Sequence, residues 1–210
     1  LPSSNLIVFD LHGEYKELSY ARQLRIPGPS ELGQVDDQLL YLPYWMLNTE
    51  EMQSMFIDRS EFSAHNQVSK FQELVVAEKR KTLEALQNQD VLDAFTLDSP
   101  IPYSLENLLA ELERLNTQMV PGANNREKKG PFNGEFDRLL VRMRNKIQDR
   151  RYGFLFNAPD AEHQYDSMAR MATRLMNHSG GPSPLPPLDF SDVPSDILPV
   201  IVGLVARVIY

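Results

Sequence analysis

The amino-acid sequence predicts an α/β fold with a parallel sheet and a large share of helix. Short segments that suit strands lie near both ends of the chain, an apolar run at 6–9 and Leu-Asp-Phe at 188–190, and helical patterns fill most of the sequence between them. Strands separated by helices are expected to pair in parallel. The predicted domains are a first part of the core at 1–48, a helical insertion or subdomain at 49–150, and a return to the core at 151–210.

The first strand is predicted where four apolar residues, at 6–9, precede Asp10 and Gly13. Such a run suits a parallel strand that is buried on both faces and ends in a tight turn. Ligands of open α/β sheets collect outside the carboxyl ends of the strands. Asp10, His12 and Glu14 would project at that edge, so they are the first candidates for a functional site.

A short helix over 15–24, a break at 26–30 and a second strand over 39–42 are predicted next. The only tryptophan, Trp45, follows this strand. We expect its ring to anchor a loop on the core in preference to stacking on a ligand.

Four helices are predicted in the block that follows. Asn48 or Thr49 caps the first, which opens with two glutamates. The second runs over 66–89, with the charged residues 78–81 mostly facing solvent. Ser104 caps the third, whose leucines recur at helical spacing.

The third and fourth helices are joined by 119–134, which glycine, proline and polar residues predict to be an exposed, mobile loop. The fourth helix runs over 133–150 and directs its arginines away from its apolar face. Beyond it, the predicted elements are a strand over 152–156, a helix over 161–177, a connector over 178–187, a strand over 188–190 and a last helix opened by 192–196.

The composition excludes several classes of protein. The 210 residues contain no cysteine, which excludes disulfides and thiolate metal sites and fits a reducing cytoplasm. No secretory signal is visible at the N-terminus, and the apolar run 197–210 is short and interrupted by Arg207. A soluble, cytoplasmic protein is therefore expected.

Four motifs span nearly the whole chain: Asp-Leu-His-Gly-Glu-Tyr at 10–15, Leu-Pro-Tyr-Trp-Met-Leu at 42–47, Arg-Tyr-Gly-Phe-Leu-Phe at 151–156 and Pro-Leu-Asp-Phe-Ser-Asp-Val-Pro at 187–194. In this order they resemble the HerA branch of the HerA/FtsK ATPases, which are hexameric DNA-translocating motors. The resemblance implies a RecA-like ATPase core fragment that works with ATP, magnesium, DNA and identical subunits. It also implies a partner nuclease or other effector, in DNA repair or antiphage defence.

The sequence lacks two motifs that the resemblance leads one to seek. It has no Gly-x-x-x-x-Gly-Lys-Ser/Thr loop to cradle phosphates and no apolar strand ending in Asp-Glu to hold magnesium. In the family these motifs flank the matched region. The chain is therefore expected to be a piece of a larger protein. By itself this piece is expected not to hydrolyse ATP.

Asp10, His12 and Glu14 have three interpretations. An extended chain would place Asp10 and His12 on one side, where they could ligate a metal or form an acid–base pair. The resemblance instead implies the edge of a nucleotide site or of a subunit interface. Local hydrogen bonding in the turn is the third possibility. A metallohydrolase would need further ligands, for which the sequence offers His65, Asp160, His163 and Asp189 without a short-range ligand motif.

The net charge of −8 excludes a uniformly basic protein, but the segment 126–151 carries nine basic and four acidic residues, a local charge of +5. It suits contacts with phosphate backbone. The DNA-binding candidates are Arg126, Lys128, Lys129, Arg138, Arg142 and Arg144. A solvated helix face that balances an acidic partner subunit is the alternative. For the whole chain, the alternative is a non-catalytic domain for oligomerisation or partner docking.

Overall fold

The computed structural model describes residues 7–16, 23–123, 126–177 and 187–210. These residues form a mixed α/β fold, which confirms the predicted fold class. The strands are β1 (Val8–Asp10), β2 (Leu24–Arg25), β3 (Met119–Pro121), β4 (Glu127–Lys129) and β5 (Pro187–Asp189). The α-helices are α1 (Thr49–Phe56), α2 (Ala64–Ala85), α3 (Gln89–Ala94), α4 (Leu105–Thr117), α5 (Asp137–Gln148), α6 (Gly153–Phe156), α7 (Ser167–Asn177) and α8 (Leu198–Ile209). Short 3-10 helices span Tyr44–Met46, Arg150–Tyr152 and Asp160–His163.

The described strands near the two ends of the chain form one parallel sheet in the order β1-β5-β2, which confirms that the sheet is parallel, although β2 was not predicted as a strand. Central strand β5 is buried along its length, whereas Val8 and Phe9 of β1 are only half-buried. The prediction that the first strand is buried on both faces is therefore wrong. Among the described residues β1 has a strand neighbour on one side only, which leaves it at the edge of the sheet.

The chain divides into two compact units, residues 1–46 with 147–210 and residues 47–146. The first unit contains the parallel sheet, and its fully buried side chains include Trp45, Phe154 and Phe190. The burial of Trp45 agrees with its expected role as an anchor. No helix in the described ranges is long and apolar enough to cross a membrane.

Several elements of the first unit differ from the prediction. Residues 39–42 are not a strand but an irregular segment with one bridge, from Leu39 to Arg25. Residues 152–156 are helical instead of extended, because Asp149 accepts a hydrogen bond from the Arg151 amide and starts a 3-10 turn that leads into α6. A short apolar run of this kind fits a strand and a buried helix equally well.

The remaining differences in this unit concern helix ends. The helix predicted over 161–177 is split into the 3-10 helix and α7. The last helix begins at Leu198, so 192–196 precede it and do not form its first turn. Of the helix predicted over 15–24, residues 17–22 lie outside the described residues and Leu24 belongs to β2; the connector at 178–186 also lies outside them.

The second unit contains α1 to α4, the β3–β4 pair and most of α5. Its predicted helices are confirmed with shifted ends. Asn48 and Glu51 form a capping box at the start of α1, and Ser104 caps α4 by accepting a hydrogen bond from the Asn107 amide. Local side-chain-to-backbone chemistry of this kind can be recognised in the sequence alone.

Two predictions for the second unit are wrong. Glu78 and Lys79 are buried, although the charged run 78–81 was expected to face solvent. The predicted loop at 119–134 contains an antiparallel hairpin, β3 with β4. The hairpin forms because Gly122 lets the chain approach closely: a Cβ atom there would lie 2.7 Å from the Arg126 carbonyl oxygen.

Candidate functional site

The carboxylate of Asp10 caps the turn at the end of β1. Its Oδ1 accepts hydrogen bonds from the amides of His12 at 3.3 Å and Glu14 at 3.1 Å, and its Oδ2 accepts one from the amide of Tyr15 at 3.0 Å. Burial alone would raise the pKa of Asp10, but these backbone donors outweigh it and hold the pKa below its ordinary value of 3.8. The structure thus shows local hydrogen bonding by Asp10 itself.

A second buried carboxylate, Asp189, lies beside Asp10 at the carboxyl end of β5. Its Oδ2 lies 3.3 Å from Nζ of Lys16, and its Oδ1 accepts a hydrogen bond of 2.9 Å from the amide of Ser191. The hydroxyl oxygen of Ser191 is buried and has no hydrogen-bond partner within the described part of the chain. One ammonium group and two carboxylates therefore converge at this edge.

His12 and Glu14 share this edge through their backbone amides. Both residues are exposed. Within the described ranges, neither the His12 imidazole nor the Glu14 carboxylate bonds to another side chain. The structure therefore does not assemble the acid–base pair of Asp10 and His12 that the sequence left open.

The residues present at this edge do not form a complete site for ATP and magnesium. The Asp10 oxygens already accept three backbone hydrogen bonds, and Asp189 is shared by Lys16 and the Ser191 amide. In the described part of the chain, no three His, Cys, Asp or Glu residues are grouped so that they could hold a metal ion. The edge can border a phosphate group, but it does not cradle one.

Within the described ranges, the ligands considered for a metallohydrolase do not gather into a metal site. The His163 ring packs against Tyr44, with the ring centroids 5.8 Å apart. Burial lowers the pKa of His163 from its ordinary value of 6.5. Asp189 lies beside Asp10, but these two carboxylates have no third metal ligand in the part of the chain that the structure describes.

Three of the six DNA-binding candidates lie on the hairpin. Lys128 and Lys129 belong to β4, and Arg126 immediately precedes it. All three are exposed. Among the described residues none of them forms an ion pair, so their charges face solvent.

The other three candidates lie on α5 and are already in contact with carboxylates. Arg142 donates to Glu61 at 2.5 Å and also to the carbonyl oxygen of Phe56 at 2.5 Å. Arg144 forms an ion pair with Glu113. Arg138 is 79% exposed and lies 3.9 Å from Glu61, which leaves its guanidinium the most accessible of the three.

Sequence reasoning missed Lys16 and Glu61, the partners of the residues just described. Lys16 follows the Gly13 turn by three residues, and this proximity was the only sequence signal for its role. Glu61 lies far from Arg142 in the sequence, and a lone glutamate before a helix has no distinguishing pattern. The fold, not a motif, selects these two residues.

The chain was compared with protein-family models and with curated proteins. No curated protein matches the chain. The family model described as "Helicase HerA, central domain" matches residues 1–209, nearly the whole chain. This agrees with the resemblance found in the four motifs and with the parallel α/β core. The chain therefore belongs to the family of the HerA helicase central domain, which gives it a HerA-type, ATPase-related role.

Proposed function

We propose that the chain is part of an ATP-driven DNA translocase or helicase of the HerA type. It acts in a hexameric ring of identical subunits in the cytoplasm, with a partner nuclease or other effector, in DNA repair or antiphage defence. The observation that carries the proposal is the family match over residues 1–209. In this proposal 1–48 and 151–210 belong to the ATPase core and 49–150 is the helical insertion.

The location of Asp10, His12 and Glu14 at the edge formed by β1 and β5 supports the proposal that they lie next to the nucleotide. Asp10, His12 and Glu14 follow a parallel strand, and phosphates bind outside the carboxyl ends of such strands. Because Asp10 is committed to the turn, the exposed His12 and Glu14 are the groups that can reach a nucleotide or a neighbouring subunit. ATP and magnesium enter through family membership, since the phosphate-binding motifs are not in this sequence.

The basic residues of the second unit support contact with DNA. Among the described residues Arg126, Lys128 and Lys129 of the hairpin form no ion pair, and Arg138 on α5 is 79% exposed although it lies 3.9 Å from Glu61. Arg142 and Arg144 remain candidates, but DNA would have to compete with Glu61 and Glu113 for them. Contacts of this type are independent of base sequence and sensitive to salt.

The alternative function is a non-catalytic domain for oligomerisation or partner docking. The observation that favours it is the local use of both buried carboxylates: Asp10 accepts from three backbone amides, and Asp189 interacts with Lys16 and the Ser191 amide. Such a domain would keep the ring contacts of the family without turnover of ATP.

The test is the mass of the intact polypeptide in its source cell together with its ATPase activity. A mass well above 24.0 kDa, with ATP hydrolysis stimulated by duplex DNA, supports the motor. A mass of 24.0 kDa with no nucleotide binding contradicts it and leaves the docking domain. Sedimentation of the same sample gives the number of subunits.

A further inference from the structure

The hairpin is a defined two-stranded ribbon. In the segments 119–123 and 126–129, which we call the basic hairpin, Met119 pairs with Lys129 and Val120 with Lys128. Near the turn, the Gly122 amide donates to the Arg126 carbonyl at 2.8 Å. At the base, the Gly130 amide donates to the Gln118 carbonyl at 2.9 Å. The strands are therefore held together at both ends.

The charge of the basic hairpin is available to a ligand. Residues 126–129 are all exposed and carry three basic side chains against one acidic side chain, Glu127. On α5, by contrast, Arg142 and Arg144 are neutralised by Glu61 and Glu113. Within the described part of the second unit, the hairpin thus presents a cluster of exposed cations without carboxylate partners.

The two lysines lie on opposite faces of the ribbon. Successive residues of a strand point to opposite sides, so Lys128 shares one face with Val120, and Lys129 shares the other with Met119. A ribbon that lies flat on a surface would use one of these lysines. A ribbon inserted between two rows of negative charge would use both.

Duplex DNA presents such rows. Its major groove admits a two-stranded β-ribbon, and phosphates line both walls. Single-stranded DNA is held instead by a basic groove with aromatic side chains on which bases stack. Residues 119–129 contain no Phe, Tyr or Trp. The chemistry of the hairpin therefore suits the duplex and not the single strand.

We infer that the basic hairpin enters a groove of duplex DNA and holds both strands through phosphate contacts from Lys128 and Lys129, with Arg126 near the tip. The inference rests on the DNA association in the proposed function and adds the element that makes the contact and its two-sided geometry. Glu127 opposes the binding because it brings a negative charge close to the same phosphates.

The experiment measures binding of the protein to a fluorescent duplex of mixed sequence, to one of its single strands and to heparin, over a series of salt concentrations. The variants are Lys128→Ala, Lys129→Ala, the double variant and Glu127→Gln. Arg59→Ala is the matched control, since Arg59 is an exposed cation of the same unit outside the hairpin. Arg138→Ala tests α5. Circular dichroism confirms that each variant is folded.

The inference predicts tighter binding to the duplex than to the single strand or heparin. Each single lysine variant should weaken duplex binding by a similar factor and lower the salt slope by about 1. The double variant should lower the slope by about 2 and Glu127→Gln should tighten binding. Arg59→Ala should leave the affinity unchanged.

Three results would overturn the inference. The first is that the protein binds the single strand or heparin as tightly as it binds the duplex. The second is loss of affinity in only one of the two lysine variants, which means one-sided contact. The third is normal binding by the double variant together with weak binding by Arg138→Ala, which assigns DNA to α5. If the unmodified protein binds neither form of DNA, the DNA role in the proposed function fails as well.

Discussion

The ammonium group of Lys16 lies 3.3 Å from Oδ2 of Asp189, whose side chain is only 3% exposed. This ion pair joins the turn after β1 to the end of central strand β5. A buried carboxylate loses its hydration and needs compensation from a partner. Lys16 supplies part of that compensation, and the Ser191 amide donates a further hydrogen bond to the carboxylate.

Replacement of Lys16 by Met should therefore lower the free energy of unfolding. The expected loss is about 1 kcal/mol, because Lys16 is half-exposed and solvent screens the pair. This corresponds to a melting temperature about 2–4 °C lower for a chain of this size. Thermal unfolding measures it, and Lys16→Arg is the control that keeps the charge. A Met variant as stable as the unmodified chain would show that the pair contributes nothing.

Asp10 should make the structure sensitive to acid. The pKa of Asp10 lies below 3.8 in the folded state. The ionised carboxylate therefore contributes fully to the free energy of unfolding above pH 3.8, and this contribution is lost as the pH falls through the lower pKa of the folded state. Asp10→Ala should cost about 2–3 kcal/mol at neutral pH, because three backbone donors lose a charged acceptor.

The control for this prediction is Asp10→Asn, which keeps one acceptor oxygen but has no charge to titrate. Urea unfolding of the unmodified protein and of Asp10→Asn is measured at neutral pH and at a series of acidic pH values. The stability difference between them should shrink as the pH falls. A difference that is constant with pH would contradict the low pKa of Asp10.

Lys79 should make the second unit more stable at alkaline pH. Its side chain is 2% exposed, and its ammonium donates to the carbonyl oxygens of Leu97 and Ser99, both at 2.7 Å. Burial lowers the pKa of Lys79 to about 8, although the charge of Asp98 opposes this, against 10.5 for an ordinary lysine. Between these values the folded state binds fewer protons, so the free energy of unfolding rises with pH.

The rise is at most on the order of 3 kcal/mol. A neutral amine retains enough N–H groups for both carbonyls, so the contacts survive deprotonation. Urea unfolding of the unmodified protein and of Lys79→Met is compared from neutral pH to about pH 10. The stability of the unmodified protein should rise relative to the Met variant. Parallel curves would show that Lys79 keeps an ordinary pKa.

The predictions that succeeded from sequence depend on local chemistry. The capping residues Asn48 and Ser104 bond to amides three residues ahead, and both can be identified without knowing the fold. The parallel sheet was predicted because apolar runs alternate with helices. The family was found because its motifs are short, contiguous and in a fixed order.

The predictions that failed depend on tertiary contacts. The run 78–81 has the composition of a solvated surface, and only the position of Leu97 and Ser99 makes Lys79 a buried donor. The strand expected over 152–156 has strand composition, but no neighbouring strand pairs with it among the described residues. The convergence of Lys16 with Asp189 likewise depends on the register of β1 and β5. Sequence periodicity contains none of this information.

Arg142 should contribute more than Arg144 to the free energy of unfolding, although both are DNA-binding candidates. Arg142 bridges Glu61 and the Phe56 carbonyl, and its hydrogen bond to Glu61 is the main reason why the pKa of that carboxyl is lowered. Arg142→Ala should cost about 2 kcal/mol, because a charge-assisted hydrogen bond and a carbonyl partner are lost together. Arg144→Ala should cost less than about 1 kcal/mol, because its pair with Glu113 is exposed.

Thermal unfolding of the two arginine variants decides this prediction, and DNA binding is measured on the same samples. If Arg142→Ala loses both DNA affinity and melting temperature, the weaker DNA binding is explained by loss of structure. Arg142→Lys is the matched control for charge alone. An Arg142→Ala variant with unchanged stability and weak DNA binding would instead make Arg142 a direct contact.

Gly122 should be essential for the basic hairpin but not for the rest of the chain. A Cβ atom at this position would lie 2.7 Å from the backbone oxygen of Arg126, and backbone cannot move away as a flexible side chain can. Gly122→Ala should therefore open the hairpin near its turn and weaken amide protection at Lys128. The free energy of unfolding should change by less than about 1 kcal/mol, because the hairpin buries little apolar surface.

The matched control is Gly203→Ala in α8, where an added Cβ meets nothing within 4 Å. That variant should be neutral or more stable by up to about 1 kcal/mol, because alanine favours a helix interior over glycine. Hydrogen exchange measured residue by residue separates the two cases. Fast exchange at Lys128 in Gly122→Ala, with α4 and α5 still protected, is the expected result. Unchanged exchange at Lys128 would show that the hairpin tolerates a side chain at Gly122 and would contradict the close approach of Gly122 to Arg126.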